Sequence, residues 1–178
     1  MKRRRLIASL PAGIFSGCAA PLAAVSGLPN VGDGDTISTE MSVMLVRLHV
    51  SGLPPRADTA GMNLTVYREG GFLRTGTVGI KDGDTTYAFA LPPGNYRWSH
   101  LVCWNLSADF GQSLPFSLVA GTSSYVGDIG LHLDFPSRRY RLAILDKSGV
   151  ARTQFEEYFP GLSKSHPFAV RMTTDKRV

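Results

Sequence analysis

The chain is poor in the residues that carry most protein chemistry. It has two cysteines, Cys18 and Cys103, and four histidines among 178 residues. His49, His100, His132 and His166 lie far apart, and neither H-x-x-x-H nor C-x-x-C spacing occurs, so no metal-ligand set is offered. Two cysteines cannot build the disulfide framework of a small secreted scaffold. Long apolar runs are missing too: residues 6–15 fall far short of the ~20 needed to span a bilayer. Nor is there a nucleophile elbow. The nearest string, Gly111-Gln112-Ser113-Leu114-Pro115, has proline where the second glycine is required and leads into a strand. These absences argue against an enzyme, and no metal or cofactor is expected.

What stands at the front of the chain reorganises the rest. Met1-Lys2-Arg3-Arg4-Arg5 is a charged n-region, and a short uncharged stretch follows to Phe15. Phe15-Ser16-Gly17-Cys18-Ala19-Ala20 then supplies small residues around a cut site, the layout of a secretory signal. With cysteine directly after the cut, the segment resembles the lipobox of bacterial lipoproteins. The resemblance implies a diacylglycerol thioether on Cys18, cleavage before it, and acylation of the new N-terminus. Two or three acyl chains anchor stably where one binds only marginally. Ala19 in place of Asp implies, by the same resemblance, the outer membrane and a periplasm-facing domain.

Removing residues 1–17 also removes an apparent basicity. The formal charge is +5, but four of the nineteen basic residues precede Cys18 and all fourteen acidic ones follow it, leaving +1. A nucleic-acid partner is therefore not expected. The one dense basic run, Arg138-Arg139-Tyr140-Arg141, reads as the solvated start of a strand after Pro136. Cys103 loses its only conceivable partner to lipidation. Among Leu101, Val102 and Trp104 it reads as a small buried hydrophobe.

The body then shows period-two alternation. Residues 18–41 are rich in Ala, Gly, Pro and Ser and read as the lipidated N-terminus and a flexible tether, with 42–178 as one domain. Met44, Val46, Leu48 and Val50 form the apolar face of a first strand. Met62, Leu64 and Val66 mark a second, residues 77–80 a short third, and Tyr87, Phe89 and Leu91 a fourth. Tyr96, Trp98, His100, Val102 and Trp104 read as one face of the next, with Phe116 and Leu118 after it. Tyr125, Gly127, Ile129, Leu131 and Leu133 read as one face of a long strand, with Val126, Asp128, Gly130, His132 and Asp134 opposite. Strands at Tyr140–Ile144 and Phe168–Met172 close the series. Residues 150–159 break it with a short helix carrying Phe155, Tyr158, Phe159 and Leu162 at helical spacing, stopped by Pro160-Gly161. About eight short strands with one late helix predict an all-β sandwich.

Particular strings sharpen that class. Leu91-Pro92-Pro93-Gly94-Asn95-Tyr96 resembles the "L-p-P-G-x-Y" hairpin of prealbumin-like and carboxypeptidase-regulatory-like domains. Phe116-Ser117-Leu118-Val119-Ala120-Gly121 followed by Tyr125-Val126-Gly127-Asp128-Ile129 resembles a stretch of small bacterial lipoproteins carrying such a domain. The resemblance spans roughly residues 62 to 173 and implies an Ig-like or prealbumin-like sandwich. It implies a positive φ at Gly121 and core positions for Tyr125 and Ile129, and no catalytic residue, since the family is largely of unknown function.

Three groups remain as candidate sites. Trp98, His100 and Trp104 form a candidate aromatic binding surface, set against the commoner reading of such a strip as core. Asp128, His132 and Asp134 share a strand face, which is more simply its solvent side. The two Asp-Gly-Asp-Thr strings at 33–36 and 82–85 lack the rest of a calcium loop and read as turns. The resulting expectation is a lipid-anchored envelope module that binds a partner protein or surface component. The alternative is a small-ligand or carbohydrate receptor, or an enzyme, with a pocket near Trp98, His100 and His132.

Overall fold

The alternation that begins at Ser42 produces β1 (Ser42–Ser51), the central strand of one of two packed sheets. The computed structural model describes residues 27–28, 30–53, 62–70 and 74–177. After β1 come β2 (Asn63–Arg68), β3 (Arg74–Gly79), β4 (Gly83–Leu91), β5 (Gly94–Cys103) and β6 (Leu106–Asp109). Then follow β7 (Pro115–Leu118), β8 (Ser123–Asp134), β9 (Arg139–Leu145), α1 (Ser148–Tyr158), α2 (Pro160–Ser165) and β10 (Phe168–Val170). In the front sheet β1 pairs antiparallel with β4 and parallel with β8, whose far side carries β10 along its first residues and β9 along the rest. In the back sheet β2 lies between β3 and β5, and β5 carries β7 and β6 in succession on its other side. The expected all-β sandwich is the observed one, with ten strands among the described residues rather than about eight.

The space between the sheets is filled by the inward faces the alternation marks. Met44, Val46, Leu48 and Val50 from the front meet Leu64, Val66, Tyr96 and Trp98 from the back. Each fully buried aliphatic side chain contributes about 1.5–3 kcal/mol relative to exposure. Trp98 and Tyr96 are wholly buried, each with its ring against Phe116 at centroid distances of 5.4 and 5.8 Å. A second cluster lies on the outer side of the front sheet. There Val43, Leu45, Ala88 and Tyr125 are covered by Ala151, Phe155 and Leu162 of the helices. This explains why the start of β1 is apolar on both faces.

Two of the β-bulges among the described strands, in β5 and β8, change which residues face inward. In β5, Val66 pairs with Trp98 but Thr65 pairs with His100, so Ser99 is an extra residue. Tyr96 and Trp98 face the core before it, Leu101 and Cys103 after it, and His100 and Val102 turn outward. The single face expected for Tyr96, Trp98, His100, Val102 and Trp104 is therefore split. In β8, Leu45 pairs with Tyr125 and Arg47 with Asp128, again one residue too many. Gly127 absorbs it at φ 113°, where a Cβ would lie 3.0 Å from Met172 Cε and 3.2 Å from Ile144 Cγ2. Tyr125 and Ile129 are both buried as expected, but on opposite sides of the sheet.

The Pro-Pro-Gly string is a corner between sheets, not a hairpin, since β4 belongs to the front sheet and β5 to the back. The Tyr96 hydroxyl ties the corner by donating to the Pro92 carbonyl at 2.6 Å, as a tyrosine corner does in other sandwiches. Gly121 has the expected positive φ, 65°. α1 stops at Tyr158, just before Pro160-Gly161 as expected, but a second short helix follows at once. Proline lacks the N–H that a first helical turn leaves unpaired, and Pro160 here begins α2. The amides of Gly161 and Leu162 donate to Asp33 Oδ1 at 2.8 and 3.3 Å, so this helix is capped by a carboxylate 128 residues away.

That contact belongs to a segment expected to be tether. Residues 1–26 lie outside the described residues, but 30–41 pack on the sandwich. Leu28 N donates to Thr77 O of β3 and Val31 N to Ala88 O of β4, both at 2.8 Å, so the segment laces the two sheets along one open side. The C-terminal residues lace the other. Thr173 N donates to Val126 O in the front sheet, and Thr174 N and Lys176 N donate to Pro115 O and Ser113 O beside the back sheet. Any tether thus ends by about Asn30, because Val31 and Ile37 find apolar contacts on the domain.

Candidate functional site

The densest polar cluster sits on the outer face of the front sheet, where the helices stop covering it. The Gly127 bulge turns Asp128 onto that face, and the parallel β1–β8 register sets Arg47 beside it. Asp128 is wholly buried. Its Oδ1 accepts the Tyr125 hydroxyl at 2.6 Å, and its Oδ2 accepts Arg47 Nη1 at 3.1 Å and meets His49 Nε2 at 2.8 Å. The other nitrogen of His49, Nδ1, lies 2.6 Å from Asp84 Oδ1 on β4. His49 thus bridges two carboxylates, one through each ring nitrogen. The result is a connected polar cluster in which Asp128 joins Arg47, Tyr125 and His49, and His49 joins Asp128 to Asp84.

The electrostatics follow from these contacts. Asp84 is held below the ordinary carboxylate range, chiefly by its hydrogen bond with His49. Burial pushes the Tyr125 phenol up, and the hydrogen bond to Asp128 and its charge push it further. Tyr125 also accepts the Lys147 amide at 3.2 Å, which ties the start of α1 to the cluster. Every oxygen of Asp128 is engaged, and a buried carboxylate with three donors is a structural pivot.

Beyond the cluster the same face is bare. Gly130 and Ala143 form the floor of a shallow trough of about 320 Å³ walled by His49, Ser51, His132 and Arg141. His132 Nδ1 lies 3.1 Å from Ser51 Oγ, and Arg141 stands opposite His132 on β9. Asp128, His132 and Asp134 do share this face. Asp128 is consumed as described, while Asp134 is occupied by the Ser137 amide and hydroxyl, which hold its carboxyl below the usual range. Among the described residues no cluster of His, Cys, Asp and Glu has the makings of a metal site.

The residues of the expected aromatic surface are dispersed. Trp98 is in the core, where its Nε1 donates to Thr173 Oγ1 at 3.2 Å. Trp104 sits at the β5–β6 turn at φ 51°, with its ring 5.0 Å from that of Phe135. His100 lies on the outer face of the back sheet and His132 on the outer face of the front, so the pocket expected near Trp98, His100 and His132 is not assembled. Cys103 is buried with Sγ 3.0 Å from Met62 Sδ, and burial pushes its thiol up to about 11, an inert small hydrophobe as expected. Cys18 lies outside the described residues. In the Asp-Gly-Asp-Thr strings, Asp33 caps α2 and Asp84 pairs with His49.

His100 does line a pocket, of a composition that strand periodicity did not point to. On the outer face of the back sheet, Tyr67, Arg97, His100, Asp109 and Gln112 surround about 350 Å³. Arg97 is stacked on Tyr67, its guanidinium carbon 4.2 Å from the ring centroid. The Ser99 bulge is what places His100 beside it.

The fold and these sites define an all-β sandwich with a polar cluster on one outer face and an open polar pocket on the other. Neither a known protein family nor a curated protein matches the chain.

Proposed function

We propose that this protein is a lipid-anchored module of the bacterial cell envelope that acts by binding rather than by catalysis. The reading is carried by one observation, the lipobox-like Phe15-Ser16-Gly17-Cys18 placed just ahead of a domain that begins to pack at Gly27. Nine residue steps separate Cys18 from Gly27, which reach at most about 30 Å when fully extended. An acylated Cys18 would therefore hold the β3 edge, where Gly27 and Leu28 meet Thr77, close to the headgroups. No described helix is long and apolar enough to cross a membrane. Ala19 after the cysteine favours the outer membrane, with the domain in the periplasm. The non-enzymatic reading is supported by the satisfied state of the Asp128 cluster. The partner on this reading is another envelope protein or surface component.

The anchor is tested by growing cells expressing the full chain with radiolabelled palmitate. The wild type should take up label and fractionate with membranes, and Cys18→Ser should do neither as a mature-sized protein. Membrane fractionation of a mature-sized, unlabelled Cys18→Ser protein would remove the lipoprotein reading. For the binding role, crosslinking in intact cells should return a reproducible envelope partner, and its repeated absence counts against that role.

A further inference from the structure

We propose that the back-sheet pocket is a binding site for a small hydroxylated carboxylate, with Arg97 as its anchor. Three independent observations converge there. The first is the state of Arg97. Its side chain makes no hydrogen bond or ion pair with another described residue, and its Nε is buried without a partner. Buried polar atoms are almost always satisfied, and an orphan of this kind marks the place of a water, an ion or a ligand. The second is orientation. The cross-strand pairing of Tyr67 with Arg97 lays the guanidinium over the ring, so the planar fork is held in place before anything binds. The third is the Ser99 bulge. Without the extra residue His100 would follow Trp98 into the core; with it, Arg97, Ser99 and His100 all line the pocket.

The ligand class follows from the groups present. A guanidinium edge matches a carboxylate as two parallel charge-assisted hydrogen bonds. Asp109, opposite His100 on β6, lies in the same pocket. One of its oxygens is taken by the Gly111 amide at 2.7 Å, and the other is open to a donor. Asp109 lines the same pocket as Arg97 and disfavours a doubly charged ligand, so a singly charged carboxylate fits better than a phosphate dianion. Asp109, Gln112 and His100 together suit hydroxyl groups, which offer both a donor and an acceptor. The volume, about 350 Å³, lies within the roughly 300–1,000 Å³ range of small-molecule sites. The ligand is thus a compact acid bearing hydroxyls, the chemistry of a sugar acid. The stacked Tyr67 face is already covered by Arg97, so recognition is by charge and hydrogen bonds rather than by sugar stacking. This site does not depend on the anchor, and failure of Cys18 labelling would leave it untouched.

The test is a titration of the isotope-labelled full chain in detergent micelles, followed through the backbone amides of His100, Gly111 and Gln112. Glucuronate should give saturable shifts confined to these residues. Glucose, its neutral counterpart, should bind about tenfold more weakly or not at all, the loss of one charge-assisted pair. Arg97→Gln should abolish the shifts, and Arg97→Lys, which keeps the charge and loses the fork, should weaken them about tenfold. Arg141→Gln, on the other sheet, should leave them unchanged. The proposal is overturned by an absence of saturable shifts with glucuronate, by tighter binding of inorganic phosphate, or by equal weakening in the Arg141 and Arg97 variants.

Discussion

Two arginines, one on each outer face of the sandwich, show how the same side chain serves opposite ends. Arg47 on the front sheet is closed in by Asp128, which also takes Tyr125 and His49, and its charge is spent inside the fold. Arg97 on the back sheet rests on Tyr67 and forms no ion pair among the described residues, though Asp109 lines the same pocket. Both stand beside a β-bulge, Gly127 near the first and Ser99 near the second. The bulges do the same geometric work, turning a polar residue outward where the pleat would turn it in. What differs is whether the neighbouring strand supplies a counter-charge. Where it does, the cluster holds β1 against β8; where it does not, a charged group is left for something outside the chain.

Substitutions that separate the two regions should differ in size accordingly. Asp128→Ala strips Arg47 and His49 of their shared carboxylate and leaves Tyr125 without an acceptor. It should cost about 3–5 kcal/mol in urea unfolding, the range for breaking one side of a buried pair. A loss under about 1 kcal/mol would show the cluster to be ornamental to stability. Gly127→Val attacks the bulge that positions Asp128. It combines a strained φ with contacts to Met172 and Ile144, and should cost about 1–3 kcal/mol. Retention of wild-type stability would mean that the strand can straighten without penalty.

Acidification probes the exposed end of the front cluster. Asp84 has a lower pKa folded than unfolded, so its contribution is present above its ordinary carboxylate range. That contribution is lost as pH falls through the folded value. Stability should therefore decline on acidification, and Asp84→Asn should flatten the slope of denaturation midpoint against pH. Identical slopes in the two proteins would show that the His49 contact does not tune Asp84. The smallest effect should come from Arg97→Gln. Losing the stack on Tyr67 is offset by removing a buried, unpartnered Nε, and the stability change should stay within about 1 kcal/mol by calorimetry. A large loss there would make Arg97 a structural residue like Arg47 and erase the contrast between the two faces.

Much of this architecture could be read by counting residues. The period-two runs from Ser42, Met62, Tyr87 and Tyr140 all become strands, and Cys103 is buried as its neighbours imply. Counting fails at Ser99 and Gly127, because one extra residue inverts the parity of everything after it. Strict alternation puts His100 on the face of Trp98 and sets Tyr125 opposite Asp128, its hydrogen-bond partner. The His49–Asp128 contact was hidden for another reason. It depends on a parallel pairing across 79 residues, which no local pattern encodes. Asp33 carried no sign of its role either, since a cap normally sits next to its helix and this one arrives from the far end of the chain. Arg97 alternates with its neighbours as any solvent-facing arginine would, and only the missing partner sets it apart.

The N-terminal segment that laces β3 to β4 also fixes how the domain would respond to being pulled. A load applied at Gly27 meets the hydrogen bonds to Thr77 and Ala88 first, one at a time, as a zip is opened. The contacts of Asp33 with Gly161 and Leu162, of Ser38 with His166 and of Met41 with Gly121 come next, and only then does tension reach β1, which is gripped along its length by β4 on one side and β8 on the other and would have to shear. Release of residues 27–42 would add about 50 Å of extended chain before that happens. Under such a load the segment would give slack in steps while the sandwich keeps its shape.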